Sequence, residues 1–150
     1  WRDAPRVELG YAGADRELDA MLGRIQNDLF DLGADLATPQ RDKELGWEPL
    51  RIVEAQVTRL ETEIDLVNAA IPPLNSFILP GGNEAAARVH VARAATRRAE
   101  RAMTALAEAE PVNPAALAYV NRLSDFFFVA SRWANAQGAG DVLWVPGKTR

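Results

Sequence analysis

The sequence predicts an all-α fold, an up-and-down bundle of four to five helices, on three observations. Apolar residues return every three or four positions over long stretches, which places them on one face of a helix. Proline, glycine and asparagine interrupt that rhythm at intervals and leave only short connections between stretches. No run of alternating apolar and polar residues marks out a set of strands.

The first helix is expected from Asp15 to Asp35, with Leu18, Met21, Leu22, Ile25, Leu29, Leu32 and Leu36 as its apolar face and Asp15 as its N-cap. A polar loop containing Pro39, Gly46 and Pro49 comes next. The helical spacing resumes at Val53, Val57, Leu60, Ile64, Val67 and Ile71. Pro72-Pro73 stops it, because proline lacks the N–H and clashes with the preceding turn. Residues Asn75 to Asn83 then form a shaped apolar loop ending in Pro80-Gly81-Gly82, where glycine reaches positive φ cheaply and Asn83 caps the next helix. That third helix, Glu84 to about Ala109, is rich in alanine and arginine, both strong helix formers, and its alanines let neighbouring helices approach closely. Asn113-Pro114 opens the fourth helix with a capping amide and a proline at the first helical position, and Gly138 and Gly140 end it. Asp141 to Gly147 reads as an extended tail against the bundle.

A chain of 150 residues, 48% hydrophobic and 25% charged, suits one ordinary folded domain over 1–150 whose core forms without staples. The absence of cysteine excludes disulfides, thiolate metal sites and cysteine nucleophiles, so any redox chemistry falls to a cofactor. Apolar stretches such as Phe126 to Ala130 are far short of the roughly 20 residues a membrane helix needs. A net charge of −4 argues against non-specific nucleic-acid binding, although arginines crowd between Arg88 and Arg122.

On the third helix Arg93, Arg97 and Arg101 recur at every fourth position, Glu100 lies three after Arg97, and Arg98 points about a hundred degrees away. The bland explanation is a solvated face with weak helical ion pairs. The fourth helix makes that less comfortable, because Asn121, Asp125, Phe128 and Arg132 form one stripe beside the very apolar Leu123, Phe126, Phe127 and Val129. Polar groups in such surroundings need partners, either as a buried structural network or as a set that orients the arginines. His90, the only histidine, has no companion of metal-ligand spacing and reads as a packing or hydrogen-bonding residue. Pro80-Gly81-Gly82 lacks the Gly-Lys-Ser/Thr ending of a phosphate loop and reads as a turn. Phe126 to Phe128 and the tryptophans read as core.

Four segments taken together resemble the PduO-type ATP:cob(I)alamin adenosyltransferase family: Ser76 to Gly82, Val89 to Arg93, Arg97 to Arg101, and Tyr119 to Phe128. Ile25 to Leu36 and Asp141 to Trp144 extend the match, which covers nearly everything after about Leu22. The resemblance implies a homotrimer with a site between neighbouring subunits, taking ATP with Mg²⁺ and cob(I)alamin and releasing adenosylcobalamin and triphosphate. Carried over by motif, Arg97 and Arg98 would hold the triphosphate, Glu100 and Asn121 would position the nucleotide and its Mg²⁺ or water shell, and Arg93 would make an intersubunit ion pair. Asp125 and Arg101 would brace the set. Phe77 would press on the underside of the corrin, with Phe128 also lining the cofactor site, and no protein side chain would ligate the metal directly.

The resemblance departs at the start. A Thr-Arg-Thr-Gly-Asp-like segment that wraps ATP, and a Tyr-Gly…Asp-Glu-Leu-Asn-like helix that supplies the acidic partner of Arg93, are not recognisable. Arg16-Glu17-Leu18-Asp19 lies too close to Ile25-Gln26-Asn27 to be that helix, so the N-terminal part is expected to be incomplete. An active adenosyltransferase is the expectation, in the cytoplasm or, in a eukaryote, the mitochondrial matrix, with a B12-dependent mutase as possible acceptor. A non-catalytic adenosylcobalamin carrier and a ligand-free helical scaffold are the alternatives.

Overall fold

The computed structural model describes the backbone of residues 14–39 and 46–150, with side chains from Arg16 onward. The described part is all-helical, with α1 (Ala14–Ala37), α2 (Glu54–Ala69), α3 (Glu84–Ala107) and α4 (Pro114–Ala134), and it contains no strand. Asp15, expected as the N-cap, lies inside α1, which begins at Ala14; its side chain and positions 40–45 of the polar loop lie outside the described residues. No helix among the described residues is long and apolar enough to cross a membrane.

α4 is the axis of the fold. It packs along α3 and α2 and more lightly against α1. Tyr119, Val120, Leu123, Phe126, Phe127, Val129 and Ala130 are all buried, and a helix apolar on so many sides is stable only when surrounded. α3 buries only Ala86, Thr96 and Met103, so small side chains bring its backbone close to α4, as the alanine content predicts. Leu18, Met21, Ile25 and Leu32 of α1 and Val57, Leu60 and Val67 of α2 complete the core. Leu29, counted on the apolar face of α1, is exposed, and Phe30 beside it is 86% exposed. The light contact of α1 with α4 leaves its apolar stripe narrower than the spacing suggests.

Two buried carboxylates anchor α1. Asp28 accepts hydrogen bonds from Tyr119 Oη (2.9 Å) and Gln56 Nε2 (3.0 Å) and pairs with Arg59. Burial, and then the bond to Asp28, keep the Tyr119 phenol protonated well above its ordinary range. Asp35 accepts from Ile52 N (2.9 Å), Arg51 Nη1 (2.6 Å) and Asn113 Nδ2 (2.7 Å). A buried carboxylate is tolerated only with such a set of partners.

Helix ends follow the local chemistry. Asn83 Oδ1 accepts from Ala86 N (2.8 Å) at the start of α3, and Asn113 Oδ1 from Ala115 N (3.0 Å) at the start of α4. α4 stops at Ala134, earlier than Gly138, and Ala136 and Gln137 take left-handed φ angles of 53° and 54°. The reason is Asn135, whose Oδ1 accepts from Asn83 N (3.0 Å) and whose Nδ2 donates to Gly81 O (3.0 Å). The end of α4 is thereby committed to the apolar loop. Gly82, at φ +110°, lies so close to that amide that a Cβ would overlap it.

Candidate functional site

The arginine helix and the start of α4 meet in a continuous chain of polar contacts. Arg97 Nη1 donates to Glu100 Oε2 (2.5 Å), and Glu100 Oε1 accepts from Asn121 Nδ2 (2.7 Å). Asn121 Oδ1 accepts from Arg122 Nη2 (2.5 Å), and Arg122 Nη1 lies 3.1 Å from Asp125 Oδ2. Arg97, Glu100, Asn121 and Asp125, all placed in the site by the resemblance, are thus linked across two helices. Arg122 completes the link and was missed as a site residue. Its signal was its position between Asn121 and Asp125, within one helical turn of both.

The ends of the chain of contacts are wetter than expected. The Asp125 side chain is 50% exposed rather than embedded, and Arg97 is 49% exposed, while Glu100 is mostly covered. Helical twist puts Asp125 at the rim beside Arg122, whereas Asn121 is half-buried between α3 and α4. Arg98 and Arg101 stand exposed on α3, outside this chain of contacts. Arg122 reaches Asn121 and Asp125 from their own helix.

Arg93 lies one turn before Arg97, with its guanidinium 5.3 Å from the centre of the Phe128 ring. Its Nε is buried without a hydrogen-bond partner, and so is Nε2 of the neighbouring His90. Burial, and then the positive charge of Arg93, lower the His90 pKa from its ordinary value, against an opposing pull from Asp141. Arg132, last of the α4 stripe, is buried and does not join the arginine row. It donates to Asp141 Oδ2 through Nε (2.7 Å) and to Pro72 O through Nη2 (2.8 Å).

Phe77 is 77% exposed on the apolar loop, with its ring packed against Trp144 at a centroid distance of 6.0 Å and an interplanar angle of 66°. Phe126 and Phe127 are core, but Trp47 and Trp144 are exposed, so the aromatic residues do not all serve the interior. Chemically, the molecule offers half-exposed guanidinium groups suited to a polyanion, an amide and carboxylate that fix their direction, and an aromatic face suited to a flat apolar ligand.

A cobalamin adenosyltransferase family model matches residues 5–134. The match begins ahead of Leu22 and takes in Arg16 to Asp19. The corrinoid adenosyltransferase of Mycobacterium leprae (strain TN) is 46% identical over 145 residues, covering 94% of this chain and 75% of its own length. That of Bacillus subtilis (strain 168) is 46% identical over 137 residues, covering 91% and 68%. Among solved structures, a variant PduO-type ATP:corrinoid adenosyltransferase from Lactobacillus reuteri, complexed with cobalamin and ATP, superposes with a TM-score of 0.80 at 38% identity. It covers 91% of this chain and 73% of the other.

Proposed function

The chain belongs to the cobalamin adenosyltransferase family, and from that membership we propose how its residues divide the work. It is a corrinoid adenosyltransferase, a transferase acting on ATP and a corrinoid. The cobalt of cob(I)alamin supplies an electron pair to C5′ of ATP, a Co–C bond forms, the C5′–O bond breaks, and triphosphate leaves with the bonding pair. Negative charge collects on the leaving group, so donors fixed in place before the reaction stabilise the transition state.

One observation carries the assignment of roles: the unbroken chain of contacts from Arg97 through Glu100, Asn121 and Arg122 to Asp125. Arg97 uses one of its N–H donors on Glu100 and keeps the others for the triphosphate, with Arg98 as a second cation. Each oxygen of Glu100 accepts one bond, which leaves lone pairs for the water shell of a Mg²⁺ carried by the nucleotide. Asn121 is oriented by the charges on either side, with its donor end toward Glu100 and its acceptor end toward Arg122. Phe77 presents an apolar ring to the lower face of the corrin, excluding water and a fifth ligand whose electron donation would hinder reduction of cobalt. Arg93 pairs with an acidic group of a second copy in a homotrimer, a role supported by its half-buried place beside Phe128, where it forms no ion pair among the described residues. A cytoplasmic enzyme passing its product to a B12-dependent mutase fits the bacterial relatives.

Incubation of the full protein with cob(I)alamin and Mg-ATP tests the reading. Adenosylcobalamin and triphosphate should appear in equal amounts; a well-folded protein yielding neither, with any reduced corrinoid, would refute it.

A further inference from the structure

Ile78 and Leu143 form an isolated antiparallel bridge between the apolar loop and the C-terminal tail. Leu79 N donates to Val142 O (2.7 Å) and Trp144 N to Phe77 O (2.8 Å), and Ser76 Oγ donates to Trp144 O (3.0 Å). In that register Phe77 stands directly opposite Trp144 on one face, while Ile78 and Leu143 take the other. The edge-to-face contact of the two rings is the cross-strand pair this geometry creates. Ile78 is half-buried, so alternation along the loop turns Phe77 outward. A slip of one residue would exchange them.

The tail is pinned where it leaves the bundle. The Asp141 side chain is 3% exposed and the Arg132 side chain it pairs with is 5% exposed. The same guanidinium holds Pro72 O before the loop, and Asn135 holds Gly81 O and Asn83 N after it. The end of α4 therefore clamps the base of the tail and both ends of the loop. Between those clamps, the backbone bonds and the Trp144 ring are what fix the direction of Phe77.

We propose that Trp144 is a positioning residue for the transferase: residues 142–144 set the register of residues 77–79, and the Trp144 ring holds Phe77 with its open face toward the corrin. This rests on the role given to Phe77 above.

The test uses the absorption of cob(II)alamin with ATP, which separates four- from five-coordinate cobalt, in the native protein, W144A, W144F, F77A and W144A/F77A. An aromatic pair of this kind corresponds to about a two- to tenfold effect. W144A should lose about that factor in the four-coordinate fraction and in kcat, with its KM for ATP and helical content unchanged. W144F should recover most of the loss. The double variant should be no worse than F77A, because Trp144 acts only through Phe77. The amide of Leu79 should exchange faster in W144A, while amides of α4 stay protected. A native-like spectrum and kcat in W144A, additive losses in the double variant, or unchanged exchange at Leu79 would each overturn the proposal alone. A native protein without any four-coordinate signal would overturn the role of Phe77, and the proposal with it.

Discussion

Arg97 and Glu100 form an ion pair on a half-exposed face of α3, and such a pair contributes only about 0–1 kcal/mol to folding. Hydrogen bonds from the same guanidinium to a charged leaving group are worth about 1.5–3 kcal/mol, or roughly ten- to hundredfold in rate. Arg97→Ala should therefore lower kcat/KM by about that factor while the urea midpoint scarcely moves; equal losses in both would mark a structural arginine. His90 supplies a pH test of a different kind. Its folded-state pKa lies below its ordinary 6.5, so as pH falls the unfolded chain takes up the proton first. Stability should decline from about pH 7 downward through 6.5 and level off below the lowered folded pKa. The advantage of the native protein over His90→Gln in urea unfolding should shrink across that window, and a constant difference would place His90 elsewhere.

At the scale of elements, Asn113 does more than begin α4. Its Oδ1 caps the helix, and its Nδ2 donates to Asp35 Oδ2 (2.7 Å) and to Ile52 O (2.8 Å), tying three segments together. Asn113→Ala should cost about 2 kcal/mol in urea unfolding, combining a lost cap with weakened satisfaction of a buried carboxylate. A cost under about 0.5 kcal/mol would mean that water replaces the amide at no penalty. The capping role was legible because caps and proline stops act within a few residues, which is also why the four helices were. Asp28 and Asp35 were not legible as anchors, since the partners that make their burial tolerable come from α2, α4 and the segment around Ile52. The arginine row was visible as spacing, but periodicity could not tell Arg132, drawn inward by Asp141, from Arg97, left at the surface. Arg122 was hidden for a related reason: its value lies in bonds to its own helix neighbours, which spacing alone makes look ordinary. The pairing of Phe77 with Trp144 carries no periodic signal at all.

For the whole molecule, Arg93 is the residue whose surroundings are unfinished. Its contact with the Phe128 ring is worth about 0.5–1 kcal/mol, which leaves the buried Nε uncompensated. A carboxylate from a second copy would not reach that covered Nε but would pair with the outer nitrogens of the guanidinium and place each arginine row at a subunit boundary. Arg93→Glu should then shift the protein from trimer toward monomer in sedimentation, with a loss of activity that rising protein concentration partly restores. An unchanged mass would show that Arg93 serves within one subunit. The central claim remains that the row on α3 receives the departing triphosphate. Calorimetric titration of inorganic triphosphate into the native protein and into Arg97→Ala, with Mg²⁺ present, measures this most directly. Binding to the native protein should weaken at least about tenfold in the variant. Equal affinity for the two proteins would contradict it.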